Sequence, residues 1–454
     1  MPFTAIATKR KPNTALIGYP LDAKLLYYLI PLALMIAWNL DNRRRREAAN
    51  AAQLRDNLNA GLTEPASLHP VIDPRKCMGC GSCVSACPEG GVLGLIQGKA
   101  HLIQPTHCIG HGACKQACPL DAITLVFGTE KRGVDIPRVN PNFETNMPGI
   151  FIAGELGGMG LIRNAVEQGR QALESIRKVK TVGTAAGDWL DVAIVGAGPA
   201  GFSASLGALE NKLKFVTLEQ DTLGGTVAQF PRGKLVMTAP AQLPMVGKVR
   251  FTETTKEELL EFWQGVEKKT GIGINYQERV DRITPEGDGY RIETPRSSYK
   301  AKTVLLAIGR RGTPRKLGVP GEELPKVVYR LIDAEQYRGQ HVLVVGGGDS
   351  ALEAATSIAE QPGARVSLSY RSDAFSRAKE KNRNKVEQAV TEGRLNVLLK
   401  SNVSEILAGS VKLDHDGKPV ELRNDAVIVS AGGILPTPFL KNIGIEVETK
   451  HGTA

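Results

Sequence analysis

Asp191-Val-Ala-Ile-Val-Gly196-Ala-Gly198-Pro199-Ala200-Gly201 is a short apolar run that ends in a G-x-G-x-x-G pattern and opens into a helix-compatible stretch. The glycines permit a tight turn and let a pyrophosphate approach the first amides of the helix, where backbone dipoles favour negative charge. A second apolar run, Phe215-Val-Thr-Leu-Glu219, ends in an acid about 20 residues further on, where a ribose hydroxyl would be held. The glycine pattern alone is weak. With a strand before it and the acid after it, the stretch predicts a dinucleotide-binding βαβ unit. The same grammar returns at His341-Val-Leu-Val-Val-Gly346-Gly-Gly348-Asp349-Ser350-Ala351, in the G-x-G-x-x-A form. Its following strand, from Ala364 to Tyr370, ends in Arg371 instead of an acid, with Arg377 and Lys379 close behind. Arginine there suits a 2′-phosphate, so NADP(H) is favoured over NAD(H), the alternative being that these bases are solvated surface charges.

All seven cysteines fall between Cys77 and Cys118, and none occurs in the 336 residues that follow. Disulfide frameworks do not cluster in this way beside a large cysteine-free region, whereas metal ligation in a reducing compartment does. Cys77, Cys80, Cys83 and Cys87, followed by Pro88, have the spacing C-x2-C-x2-C-x3-C-P. Three close thiolates wrap one iron–sulfur cubane through a Gly-rich loop, and the fourth, carried into a helix, reaches a second cluster. Zinc sites rarely use this triple spacing with a terminal Cys-Pro. A second copy reads Cys108-Ile-Gly-His111-Gly-Ala-Cys114-Lys-Gln-Ala-Cys118-Pro119.

This repeat closely resembles the two-cluster bacterial-type ferredoxins. Their cross-over pattern implies that Cys77, Cys80, Cys83 and Cys118 hold a first [4Fe–4S] cluster, and that Cys87, Cys108 and Cys114 hold a second. His111 stands where the fourth cysteine would be. Either it ligates through nitrogen, or the second cluster is [3Fe–4S]; a neutral ligand in place of a thiolate would raise the potential.

The two nucleotide units, one inserted in the other, resemble flavoprotein reductases of the thioredoxin-reductase type, over roughly residues 131–454. Gly224-Gly225-Thr226 after the acid, Leu305-Leu-Ala-Ile-Gly309 and Asp425–Gly433 match further. The resemblance is closest to ferredoxin–NADP reductases and bacillithiol-disulfide reductases, and it implies bound FAD. Thioredoxin reductases proper carry a Cys-x-x-Cys pair in the nucleotide domain; this chain has no cysteine there, which excludes dithiol exchange at the flavin. The family ends in a pro-Gly-Ile-Phe-Ala-Ala-Gly-Asp segment, whose acid binds the flavin ribityl chain. Here that segment stands upstream, as Pro148-Gly-Ile-Phe-Ile-Ala-Gly154-Glu155, continuing to Gln168. The resemblance therefore implies a circular permutation, with Glu155 in the place of the usual Asp. Permutation is tolerated where the original termini lie close together at the surface.

The formal charge is +10, with residues 1–50 contributing eight Lys/Arg against three acids. No nucleic-acid motif accompanies it. Hydrophobic content of 42% and charged content of 23% exclude a disordered chain and a polytopic membrane protein. Leu25–Leu40 is apolar except for Asn39, and Arg43–Arg46 follow it. Tyr27, Tyr28 and Trp38 are placed like interfacial anchors, so a single N-terminal anchor is expected, holding the bulk at the cytoplasmic face of a bacterial inner membrane. Sixteen residues fall short of the roughly 20 needed to span, and a helix lying on the surface is the alternative.

The expected fold is α/β: two Rossmann-like domains, an α+β ferredoxin domain and an N-terminal apolar helix. Expected boundaries are 1–46 (tail and anchor), 47–66 (linker), 67–130 (ferredoxin), 131–315 completed by 426–454 (FAD domain) and 316–425 (NAD(P) domain). The expected function is electron transfer between NAD(P)H and a one-electron partner (a ferredoxin, a membrane cytochrome or a quinone enzyme), in a chain that could form a homodimer. The rival readings are an electron-wiring subunit of a larger membrane complex and a small-thiol disulfide reductase. No catalytic acid or base is expected.

Overall fold

The computed structural model describes residues 23–59, 65, 68–108, 110, 112–130, 133–158, 160–237, 240–251, 253–376 and 378–452. Helix α1 (Ala23–Asn59) runs far past the apolar stretch that opens it, through Arg43–Arg46 and into residues expected as linker. Its last turns lie against a ferredoxin-like module. Asn50 Nδ2 donates to Leu95 O at 3.0 Å, and buried Asn57 Nδ2 donates to Ile103 O at 2.7 Å. The expected membrane anchor is not found: among the described residues no helix is long and apolar enough to cross a membrane. The physical reason is length. Sixteen apolar residues make about 24 Å of helix against a hydrocarbon core of about 30 Å. The same helix then carries four consecutive arginines. An anchored location at a membrane face is therefore withdrawn.

The module's strands are β1 (His69–Ile72), β2 (Leu93–Ile96), β3 (Lys99–Leu102) and β4 (Ile123–Val126), paired β1 with β4 and β2 with β3. Short helices at Ser82–Ala86 and Ala113–Gln116 start from Gly81 and Gly112, both left-handed at φ 79° and 77°. The sequence repeat is thus a structural repeat, turning on a glycine at the same point in each half.

Next come β5 (Val134–Pro137), β6 (Ile150–Ile152), α2 (Ile162–Ile176), β7 (Trp189–Val195), α3 (Pro199–Glu210) and β8 (Phe215–Leu218). With β9 (Arg282–Glu286), β10 (Gly289–Glu293) and β11 (Ser298–Leu306), they build a sheet of order β9-β10-β11-β7-β8. β6 lies parallel to β11, Ile150 beside Val304 and Ile152 beside Leu306. All three β6 residues are buried, as a parallel strand covered on both faces requires. The upstream segment therefore belongs to the same sheet as Asp191–Val195, and its helix α2 packs on α3. A Cβ at Gly169 of α2 would collide with the Ala200 carbonyl of α3, so only glycine permits this approach. The chain's last strand, β17 (Val447–Lys450), pairs antiparallel with β5. Asn146 clasps it, donating from Nδ2 to Gly444 O and accepting at Oδ1 from Glu446 N, both at 2.8 Å. The end of the chain thus lies beside the segment that precedes β6, as a permuted domain demands.

The second sheet holds β12 (Val327–Val328), β13 (His341–Val345), β14 (Arg365–Ser369), β15 (Leu395–Leu398) and β16 (Ala426–Val429) in the order β12-β16-β13-β14-β15, all parallel. Helices α4 (Asp349–Ala359) and α5 (Glu380–Thr391) cover it. β16 was expected to begin the return to the first sheet. It instead sits beside β13, and the crossing follows it, where Gly433–Ile434 pairs with Thr313–Pro314.

Replacing Gly169 by leucine should splay α2 from α3 and destabilise the protein by about 1–3 kcal/mol, the range for overpacking. Urea unfolding of the variant, with flavin retention measured alongside, checks that the upstream segment completes the first sheet.

Candidate active site and cysteine cavities

A cleft of about 1160 Å3 opens at the carboxyl ends of β6, β7, β8 and β11. Gly196, Gly198, Pro199 and Ala200 reach it from the β7–α3 turn, Glu219 from the end of β8, and Gly225 and Thr226 from the following loop. Gly154 and Glu155 enter after β6, and Gly309 after β11. The structure thus brings ten predicted positions to one cavity. Gly201 lies beneath it, where a Cβ would collide with the Gly196 carbonyl, so the glycine holds the turn closed. Gly198 faces Gly225 closely, a Cβ at Gly225 standing 3.0 Å from Gly198 Cα. Such a side-chain-free cradle at the start of α3 fits the pyrophosphate of a dinucleotide.

Glu219 is buried, and its carboxylate is engaged: Oε2 accepts from Ala197 N at 2.6 Å and Oε1 from Asp221 N at 2.8 Å. Burial pushes its pKa up, and these amides pull the other way. The acid therefore braces the glycine turn as well as facing the cleft. Burial also raises the Glu155 pKa, opposed by the charge and the backbone N–H of Arg310. Gln168 of α2 reaches back, its Oε1 accepting from Gly154 N at 2.9 Å, and so fixes the loop that carries Glu155. Arg311 lines the cleft too; burial, and then the neighbouring Arg330, lower its pKa. The sequence reading passed over it, although two arginines bracketed by Gly309 and Gly312 were a signal. Tyr329, Arg330 and Tyr337, just ahead of β13, form part of the same wall, so the segment leading into the second sheet borders this cleft.

In the second unit Gly346 has φ +147°, and a Cβ there would stand against Ser430 O. Gly348 caps α4, and buried Ala351 follows in its first turn. Asp349 Oδ1 accepts from Lys379 N at 2.8 Å and from Asn382 Nδ2 at 2.7 Å, tying the starts of α4 and α5 together. Ser350 is exposed beside it, and Arg371 is exposed just past β14. Arg377 lies outside the described residues.

The cysteines surround two small cavities. Cys77, Cys80, Cys83 and Cys118 line one; Cys87, Cys108 and Cys114 line the other, with Gly110 and Gly112. His111 lies outside the described residues. Ala100 N points at Cys77 Sγ (3.5 Å) and Ala122 N at Cys118 Sγ (3.3 Å), the amide-to-sulfur contacts that a thiolate ligand uses. Burial pushes the Cys83 thiol up to about 11, with the nearby Cys77 adding to the effect, and burial raises Cys108 and Cys114 as well. Thiolates so placed need positive charge at the cavity centre. Among the described residues no three His, Cys, Asp or Glu groups close on a point as a single ion would require. Four cysteines on one cavity and three on the other fit the ligand sets of iron–sulfur clusters.

The family described as pyridine nucleotide-disulphide oxidoreductase matches residues 193–453. The chain belongs to that family. A 4Fe-4S dicluster domain matches residues 69–119. The protein is accordingly an NAD(P)H-dependent flavin oxidoreductase that carries a ferredoxin-type 4Fe–4S module. It is 30% identical over 269 residues to a ferredoxin–NADP reductase of Ignicoccus hospitalis, covering 58% of this chain and 83% of the relative. It is 27% identical to the bacilliredoxin reductase Bdr of Bacillus subtilis, covering 57% and 82%. Among solved structures, a bacillithiol disulfide reductase from Staphylococcus aureus shares the fold, with a TM-score of 0.51 at 23% identity over 57% of this chain and 81% of that one. The family match begins at residue 193 and so leaves out β6 and α2, which the structure adds to the same sheet.

Glu219→Ala should free two backbone amides of the turn and remove the acceptor facing the cleft. Losing a charged hydrogen-bond acceptor costs about 1.5–3 kcal/mol, so FAD affinity should fall by roughly ten- to a hundredfold. Flavin release on dilution, followed by fluorescence, measures it.

Proposed function

We propose that the chain carries electrons between NADP(H) and a one-electron partner by way of FAD and two iron–sulfur clusters. The observation that supports this most is the seating of β6. The strand that delivers Glu155 to the flavin cleft follows the cysteine module directly in chain order and pairs within the flavin sheet, which ties the two sites together covalently. A short connection keeps their groups at high effective concentration. Flavin, when bound, accepts a hydride and returns single electrons, the conversion that links nicotinamide to an iron–sulfur cluster.

The chain's own residues hold and orient. The turns at Gly196–Gly201 and Gly346–Ala351 present helix N-termini to the two pyrophosphates. Glu219 braces the first turn from below, and Gln168 holds the Glu155 loop. Arg311 gives the cleft wall a positive charge, which favours a bound group that gains negative charge. Asp349 fixes the start of α5, and Arg371 and Arg377 are the bases assigned here to a 2′-phosphate. The seven cysteines supply the cluster ligands in two sets, Cys77, Cys80, Cys83 and Cys118, then Cys87, Cys108 and Cys114. His111 is either the eighth ligand or a bystander to a three-iron cluster. The partner that suits such a module is a ferredoxin-like carrier.

Reduction of a small disulfide is a second reading, favoured by the likeness to bacilliredoxin reductase. It predicts turnover with low-molecular-weight disulfides that survives loss of the clusters.

Anaerobic titration with NADPH should bleach the flavin and then generate cluster EPR signals; a bleached flavin beside oxidised clusters would refute the proposal. Arg371→Ala should raise the KM for NADPH about tenfold while leaving that for NADH unchanged, the effect of losing one charge-assisted contact. Equal effects on both nucleotides would remove the case for the 2′-phosphate.

A further inference from the structure

The two cysteine cavities differ in what surrounds them. β1 and β4 run antiparallel, from Ile72 beside Ile123 at one end to His69 beside Val126 at the other. Ile72 and Ile123 line the cavity of Cys77, Cys80, Cys83 and Cys118; His69 and Leu125 line that of Cys87, Cys108 and Cys114. The second cavity thus sits toward the end of the hairpin that leads into the rest of the chain. Immediately after Val126 comes Phe127, whose ring rests on Gly158: a Cβ there would stand 2.5 Å from the ring edge. Gly158 N donates to Glu155 O at 2.8 Å, and Glu155 lines the flavin cleft. One aromatic ring and one tight turn therefore join that end of the module to the cleft.

A second contact comes from the nucleotide-binding sheet. Glu380, the first residue of α5, donates from its N to His107 Nε2 at 3.3 Å, and its Oε2 accepts from Gln104 Nε2 at 3.4 Å. His107 immediately precedes Cys108. The second cavity is thus flanked by both nucleotide domains, and Cys108 and Cys114 are each only 8% exposed. The first cavity faces outward. Cys80 is exposed, and of the residues lining the same cavity Met78 is 66% and Leu120 48% exposed.

We propose that the cluster held by Cys87, Cys108 and Cys114 is the relay next to the flavin, and that the cluster held by Cys77, Cys80, Cys83 and Cys118 is the terminus at which the one-electron partner is met. In the direction from NADPH, one NADPH gives NADP+, one proton and two electrons. These pass singly through the relay and the terminus to reduce two molecules of a one-electron carrier. Phe127 is a positioning residue, setting the gap between relay and flavin. This order rests on the two-cluster reading given above and can fail without it.

Rapid freeze-quench EPR of the anaerobic full-length protein, mixed with NADPH, tests the order. Cys80→Ala should still show the relay cluster reduced by NADPH. Cys108→Ala should retain a terminal cluster that dithionite reduces and NADPH does not, on the timescale of flavin bleaching. Reduction of the terminal cluster in Cys108→Ala as fast as in the native protein overturns the order. Phe127→Ala keeps every ligand and decides the matter should Cys108→Ala lose its module. At unchanged iron content, it should slow the reduction of both clusters relative to flavin bleaching, and an unchanged ratio of the two rates overturns the proposal. Flavin bleaching in the native protein reports separately on the function itself: bleaching with clusters reduced in the wrong order sinks only the relay.

Discussion

Three residues of parallel strand, Ile150–Ile152 beside Val304–Leu306, hold the redox geometry of this chain together. The cysteine module precedes β6 in the chain and the first glycine turn follows it, so this pairing seats in the flavin sheet the strand that comes after the module. Its register is specified because all three side chains are buried, and a slip by one residue would turn each to the opposite face of the sheet. The glycine contact between α2 and α3 then fixes the next element. With Ala200 pressed on Gly169, the loop of Glu155 has only one place to go, and Gln168 pins it there. Position at the flavin cleft is thus inherited from backbone packing well away from any reacting atom.

Burial of thiols has a similar structural logic. Cys83, Cys108 and Cys114 are sulfurs that water does not stabilise as anions, so an empty cavity favours the protonated form. A multinuclear iron cluster reverses that preference, because its charge sits where the sulfurs converge. Helix α1 adds a brace from outside through Asn50 and Asn57, whose amides donate to carbonyls of the module.

How much of this was legible in the sequence depended on whether the signal was local. Glycine spacing at 196–201 and 346–351, and cysteine spacing at 77–118, are chemical requirements met within a dozen residues or so, and they read directly. The displaced Gly154-Glu155 segment was legible because its own residues carry the pattern wherever it stands. Three things were not. Leu25–Leu40 looks like an anchor by composition, yet the helix continues through its arginines to a packing site that only tertiary contact reveals. β16 has the apolar run of any buried strand, and nothing in it says which of two parallel sheets will take it. Glu219 was placed at the cleft, but its hold on Ala197 N depends on where a turn from a different strand arrives.

The permutation gives these observations a common sense. In an uninterrupted flavin domain, the loop bearing the ribityl acid would follow β17 at the chain's end, and a fused ferredoxin module could attach only at a remote terminus. Moving that loop to the front places the new terminus beside the flavin, and the module occupies it. The Asn146 clasp on Gly444 and Glu446 holds β17 beside the segment before β6, where the permutation implied by the family resemblance would place the junction. Cutting a chain there costs little folding energy when the ends stay paired. What changes is which site a preceding domain is led to, and here the preceding domain holds the cysteines. The module meets the two nucleotide-binding units through Phe127 on Gly158 and through Glu380 on His107 and Gln104.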